Sequence, residues 1–186
     1  MYGPSGSQDL LGYSDSDYAS DKLDRRSILG HVYLLGGGPV SWASRKQKSV
    51  ATSTTEAEYM AMSICAKTGV WLTQVLRDMG LGKYLGANPH RVSIQEDEIH
   101  RENTPLQLKG DNQAALTLVK DAHVHERSKH IDIAYHHIRD LHKRNQIQVD
   151  FVPSQDMIAD GLTKPLPRQM FERFVCQLGL DNSGSQ

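Results

Sequence analysis

The sequence has few cysteines and no long apolar run. It contains only Cys65 and Cys176, with no Cys-x-x-Cys pair, so neither a disulfide framework nor a zinc ribbon is indicated. No apolar stretch approaches the roughly 20 residues that cross a bilayer. The N-terminus also lacks the basic and apolar regions of a signal peptide. From these absences we expect an intracellular protein without a membrane partner.

The sequence also lacks an excess of positive charge. It has 21 Lys and Arg against 22 Asp and Glu, giving a formal net charge of −1, whereas a protein that binds nucleic acid by charge alone is strongly basic. A phosphate-binding surface would therefore be local, with metal ions supplying part of the positive charge. At 186 residues, with 38% hydrophobic and 23% charged side chains, the composition is typical of one globular domain.

Hydrophobic periodicity predicts five strands and a set of helices. The alternating apolar segments that read as strands are Leu10–Tyr18, Ile28–Leu35, Val40–Lys46, Leu106–Lys109 and Ile147–Val152. Helical spacing predicts helices from Ser53–Thr55 to about Val75, from Asn112 to Val119, from about Ser128 to Lys143, and over Met157–Thr163 and Arg168–Leu178. Trp42 and Trp71 fall on apolar faces and are predicted to be core residues. The order of elements predicts an α/β (mixed α+β) fold, a mixed sheet with helices on its faces.

The domain organisation follows from changes in composition. We expect a flexible leader over residues 1–9, one domain over 10–167, and a C-terminal helix with a disordered tail over 168–186. Residues 80–107 are polar and acidic without a clear period, which predicts an irregular excursion within the domain.

Four acidic residues lie far apart in the sequence, each in a different local setting. They are Asp15, Glu56, Asp111 and Asp160. Carboxylates gathered from distant points can hold magnesium ions, which prefer oxygen ligands. Two such ions clamp the attacking and leaving oxygens of a phosphodiester. The pattern therefore indicates a nuclease.

Residue spacing alone leaves two of these choices open. Asp15 shares its strand face with Asp17. Glu56 and Glu58 each follow a Ser or Thr by three residues, which is the spacing of a capping box, and both flank the apolar stripe of the helix.

The other two acids have structural alternatives as well. Asp111 precedes a predicted helix, where aspartate is a favoured N-cap, but it also ends a strand, where ligand crevices form in α/β sheets. Asp160 lies one turn after Asp156, so spacing permits either as the fourth ligand.

Six phrases in this order resemble the ribonuclease H domain of the pol polyprotein of copia-type long-terminal-repeat retrotransposons. The similarity runs from about Gly12 to Pro167 and covers most of the chain. The phrases are GYSDSD (12–17), SWASRKQKSVA (41–51), STTEAEYMA (53–61), DNQAA (111–115), KHIDIAYHHIR (129–139) and ADGLTKPLP (159–167).

The resemblance implies a five-stranded mixed sheet flanked by helices and metal-dependent hydrolysis of the RNA strand of RNA–DNA hybrids. The family's acidic pattern falls on Asp15, Glu56, Asp111 and Asp160 as catalytic residues and ligands of two Mg²⁺ ions, for which Mn²⁺ can substitute. It leaves Glu58 as a cap or supporting residue. Among the alternatives it selects Asp160.

The resemblance also implies partners. These are an RNA–DNA hybrid and the reverse transcriptase portion of the same polyprotein, in a cytoplasmic virus-like particle. Predicted substrate contacts are Arg45, Lys46 and Lys48, which follow the third strand, and Asn112, Gln113 and His130, which lie in the family phrases. The alternative function is a non-catalytic nucleic-acid-binding or interaction module derived from a truncated retroelement polyprotein.

Overall fold

The structure of the protein is a computed structural model that describes residues 9–82, 85, 105–121 and 132–180, and for residues 132–135 only the backbone. The predicted leader, apart from its last residue, most of the predicted excursion and the tail from residue 181 lie outside the described residues. Within the described ranges, no helix combines the length and the apolar character that a membrane span requires.

In the part of the chain that the structure describes, five strands form one mixed sheet in the order β3-β2-β1-β4-β5. β1 pairs antiparallel with β2, and β2 with β3, whereas β4 pairs parallel with both β1 and β5. This arrangement confirms the predicted mixed sheet. The strands are β1 Leu11–Asp17, β2 Ile28–Leu35, β3 Gly38–Lys46, β4 Leu106–Gly110 and β5 Ile147–Phe151.

Among the described residues, four α-helices accompany the sheet: α1 Thr54–Asp78, α2 Gln113–Lys120, α3 Asp132–Lys143 and α4 Arg168–Gln177. The predicted start of the third helix near Ser128 lies outside the described residues. The helix predicted over Met157–Thr163 is instead a 3₁₀ turn over Ile158–Leu162, preceded by another over Ser154–Asp156. The conformation of this segment follows its packing against the sheet, because Ile158 shares a core with Val32 and Leu34 of β2.

Alternate residues of β2 pack into two separate cores, one on each face of the sheet. Tyr33 lies in the larger core, which β4, β5 and α1 to α3 complete with residues such as Leu108 and Ile138. Val32 and Leu34 lie in the smaller core with Ile158 and Leu178. The 3₁₀ turn at 158–162 is therefore packed directly against the sheet. This packing fixes the last segment of the candidate site.

The prediction that both tryptophans are core residues is wrong. Trp42 is 63% exposed and Trp71 is 60% exposed. Trp42 lies on the edge strand β3. Trp71 lies outside the arc of α1 that faces the sheet, although its neighbour Leu72 is buried. Periodicity locates an apolar stripe but does not tell how much of it the sheet covers.

Candidate metal centre

Asp15 lies on the central strand β1, opposite Gly30 of β2. Its side chain is buried, and its Oδ2 accepts a hydrogen bond of 2.7 Å from the Thr163 hydroxyl. The pKa of Asp15 is raised to about 6, mainly by burial; the Thr163 hydrogen bond opposes the rise, and the nearby charges of Asp111 and Asp160 add to it. A carboxylate in this environment is stabilised by a cation.

The amide and the carboxylate of Glu56 both form hydrogen bonds at the start of α1. Ser53 is the N-cap, and its hydroxyl accepts a bond of 3.1 Å from the Glu56 amide. The Glu56 carboxylate turns back and accepts a bond of 2.7 Å from the Thr52 amide and another from the Thr52 hydroxyl. Ser53 therefore caps α1, but the Glu56 carboxylate binds the amide of Thr52, the residue before the N-cap, and not the N-cap amide of the predicted capping box.

Glu58 occupies the position beside Asp15 instead. It is buried, and its Oε1 accepts a bond of 3.1 Å from the amide of Ser16, the residue next to Asp15. Burial raises the pKa of Glu58 to about 9, with further contributions from the charges of Asp15 and Asp111, and the Ser16 amide lowers it.

Asp111 follows β4, the parallel neighbour of β1. It is not the N-cap of α2: Asn112 takes that position, and its Oδ1 accepts a bond of 3.0 Å from the Ala115 amide. The Asp111 carboxylate accepts instead a bond of 2.7 Å from the Ser154 hydroxyl. It is therefore free of capping and turned toward the segment that carries Asp160.

The carboxylates of Asp15, Glu58 and Asp111 each place an oxygen within 4.8 Å of the others. Of the four predicted ligands, the structure brings together Asp15 and Asp111 and puts Glu58 in the place expected of Glu56. Two residues along an α-helix correspond to a rotation of about 200°, so Glu56 and Glu58 cannot face the same site. The structure therefore brings Glu58, and not Glu56, beside Asp15 and Asp111.

Asp160 lies at the border of this group. It is outside the set of mutually close oxygens, but its charge raises the pKa of both Asp15 and Glu58. Its Oδ1 is 2.6 Å from Lys164 Nζ. Asp156, the alternative, forms an ion pair of 2.9 Å with Arg173. The charge of Asp160, and not that of Asp156, is among those that shift the pKa of Asp15 and Glu58.

The predicted substrate contacts are in varied settings. Lys46 forms ion pairs with Asp21 and, at 3.4 Å, with Asp24, so its charge is already balanced within the chain. Asn112 uses its side-chain oxygen as a helix cap. His130 lies outside the described residues. Four of the predicted contacts are exposed on the surface: Arg45, Lys46, Lys48 and Gln113.

Gln47 supports the site in a way that the sequence did not indicate. It stands between basic residues, which suggests an exposed strand end, yet it is only 2% exposed. Its Nε2 donates to the Ala57 carbonyl at 2.9 Å and to the Ser16 hydroxyl at 3.3 Å. Gln47 therefore links the neighbours of Asp15 and Glu58. No feature of the sequence could have revealed this burial.

Sequence comparison finds similarity to retrotransposon Pol polyproteins, although no protein-family model matches the chain. It is 36% identical over 163 residues to the retrovirus-related Pol polyprotein from transposon TNT 1-94 of Nicotiana tabacum, covering 88% of this chain and 11% of that protein. It is 35% identical over 171 residues to that from transposon RE1 of Arabidopsis thaliana, covering 92% and 10%. The chain thus spans about a tenth of the length of these relatives.

Structural comparison finds ribonuclease H chains. LC11-RNase H1, isolated from compost, aligns with a TM-score of 0.54 at 12% identity, covering 83% of this chain and 92% of that one. The structure of LC11-RNase H1 in complex with an RNA/DNA hybrid aligns with a TM-score of 0.52, also at 12% identity, covering 82% and 92%. At this identity the similarity concerns the fold, and it confirms the predicted fold class.

Proposed function

We propose that this chain, a relative of copia-type retrotransposon Pol polyproteins with the ribonuclease H fold, hydrolyses the RNA strand of RNA–DNA hybrids. The observation that carries the proposal is the convergence of Asp15, Glu58 and Asp111 to within 4.8 Å. Three carboxylates from β1, α1 and the end of β4 repel one another at this distance. Ionisation of all three together is costly unless cations bind between them.

The residues present fit hard divalent cations. Their donor atoms are all carboxylate oxygens, the ligands that Mg²⁺ and Mn²⁺ prefer. We propose that two ions bind here, held by Asp15, Glu58 and Asp111, with Asp160 as the fourth acid. Bound there, the ions would supply an activated water and stabilise the departing oxygen of the phosphodiester.

The chain's own groups hold these carboxylates in position. The Thr163 hydroxyl fixes Asp15, the Ser16 amide fixes Glu58, and the Ser154 hydroxyl fixes Asp111. Each donor leaves the remaining carboxylate oxygen of its partner for another ligand. Because burial raises the pKa of Glu58 to about 9, this residue gives up a proton when a cation binds at neutral pH.

Substrate choice follows from the shape of the nucleic acid. The 2′-hydroxyls of an RNA strand allow a protein to distinguish it from DNA, so we expect selectivity for strand type with little dependence on base sequence. The structural neighbour solved with an RNA/DNA hybrid supports this substrate. In the proposal, the rest of a Pol polyprotein is the protein partner, in a cytoplasmic particle.

The test is a gel assay of a labelled RNA–DNA hybrid and of the matching RNA duplex in Mg²⁺. We expect the wild type to cut the hybrid and not the duplex, and Asp111→Asn to lose cleavage, because a missing ligand removes several kcal/mol of transition-state stabilisation. Asp140→Asn, on the exposed side of α3, is the matched control and should cleave normally.

Two outcomes would contradict the proposal. Full activity in Asp111→Asn would separate cleavage from the acid cluster. Hybrid binding by the wild type without cleavage in either Mg²⁺ or Mn²⁺ would favour the non-catalytic module instead.

A further inference from the structure

Lys164 places a positive charge at the edge of the acid cluster. Its Nζ lies 2.6 Å from Asp160 Oδ1, one helical turn earlier in the chain. The neighbouring residue Thr163 is buried and bonds to Asp15. Because Thr163 is fixed against β1, the backbone that carries Lys164 is held beside the cluster.

The charge of Lys164 acts on more than Asp160. Among the charges that shift the pKa of Asp15, Lys164 lowers it, opposing Asp111 and Asp160. The pKa of Lys164 is raised, first by its bond to Asp160 and further by the charges of Asp160, Asp15 and Asp17. Lys164 therefore interacts electrostatically with several of the acids that a divalent ion would also bind.

The Lys164–Asp160 ion pair is less exposed to solvent than the Arg144–Asp140 pair, which has the same i,i+4 spacing. The side chains of Lys164 and Asp160 are 45% and 23% exposed, whereas those of Arg144 and Asp140 are 67% and 48% exposed at 3.0 Å. Solvent screens the second pair more strongly. Arg144 also precedes β5, at the opposite end of the parallel strands from Asp111, so the second pair is a control remote from the cluster.

We propose that Lys164 is a built-in counter-ion that competes with divalent metal ions for the acid cluster through Asp160. This inference rests on the proposed metal site. Without a divalent ion, the ammonium group balances part of the carboxylate charge. When an ion binds, it must displace the ammonium group from Asp160 or bind against its charge. The lysine therefore weakens metal affinity while it stabilises the metal-free protein.

The experiment is calorimetric titration of Mn²⁺ into the full chain at fixed pH and ionic strength. Lys164→Met removes the charge and keeps most of the side-chain length, Lys164→Arg keeps the charge, and Arg144→Met removes a charge from the remote pair. We expect Lys164→Met to bind Mn²⁺ about fivefold more tightly than the wild type, the effect of a partly screened ion pair. We expect the other two variants to match the wild type.

Thermal melts give a second measurement. Because a ligand stabilises the folded state in proportion to its affinity, Mn²⁺ should raise the Tm of Lys164→Met by more than it raises that of the wild type. In metal-free buffer the same variant should melt below Lys164→Arg.

The outcomes separate this inference from the proposed function. Equal Mn²⁺ affinity in Lys164→Met and Arg144→Met would overturn the counter-ion role and leave the metal site intact. Binding in Lys164→Met but not in the wild type would support the counter-ion role and contradict metal-dependent activity of the wild type. Binding in neither would overturn both.

Discussion

Glu56 and Glu58 provide a test of the site with a built-in control, because they differ by two positions and have opposite roles. Glu58 faces Asp15 and Asp111, and Glu56 caps α1 through Thr52. Glu58→Gln and Glu56→Gln make the same chemical change. Only the first removes a proposed metal ligand.

The expected effects can be worked out from the contacts. Loss of a metal ligand at about 3 kcal/mol of transition-state stabilisation corresponds to a fall in kcat/KM of about 100-fold or more for Glu58→Gln. Its fold should remain stable, because burial raises the pKa of Glu58 to about 9 and the neutral amide resembles the protonated acid. Its oxygen can still accept the Ser16 amide.

Glu56→Gln keeps an oxygen that can accept both Thr52 bonds, so activity should be unchanged. Glu56→Ala loses the cap and should cost about 1 kcal/mol of stability, which for a chain of this size lowers the Tm by about 2–4 °C. Hybrid cleavage under kcat/KM conditions and thermal melts measure the two effects. Loss of cleavage in Glu56→Gln, with normal cleavage in Glu58→Gln, would refute the assignment.

Two further predictions concern pH and packing. Burial raises the pKa of Asp15 to about 6 and that of Glu58 to about 9. A group whose pKa is higher in the folded state contributes its full stability below its unfolded pKa and loses it as the pH rises through the folded pKa. The Tm in EDTA should therefore fall from about pH 4 to pH 9, and Mg²⁺ should oppose the fall at alkaline pH. A Tm that does not change with pH would contradict the raised pKa values. A Cβ at Gly30 would lie 2.8 Å from the Ala159 carbonyl oxygen, so Gly30→Ala should displace the turn that carries Asp160. We expect the variant to lose about 1–3 kcal/mol of stability and to bind Mn²⁺ more weakly in calorimetry. An unchanged Tm would show that the turn can move freely.

Much of the fold could be predicted from periodicity, because alternation and helical spacing report directly which side of an element is buried. The strands and the starts of α1 and α2 agree with the structure. The 3₁₀ turn over Ile158–Leu162 could not be predicted in the same way, since its conformation depends on packing against β2. Nor does periodicity tell how far an apolar face is covered, which is why Trp42 and Trp71 were misplaced.

The site was partly accessible from the sequence. Asp15 and Asp111 were selected by the family resemblance, because spacing alone did not separate Asp15 from Asp17. The choice between the glutamates could not be made, because both fit a capping box and the deciding contacts come from Thr52 and Ser16, four and 42 residues away in sequence. The link through Gln47 and the pairing of Lys164 with Asp160 depend on side-chain directions that no local pattern specifies.

The central claim is that three carboxylates, from β1, α1 and the end of β4, hold a divalent ion together. Anomalous diffraction from a crystal grown with Mn²⁺ tests it most directly. We predict an anomalous peak about 2–2.5 Å from carboxylate oxygens of Asp15, Glu58 and Asp111. A crystal in saturating Mn²⁺ without a peak between these residues, or with the ion held by Glu56, would contradict the account.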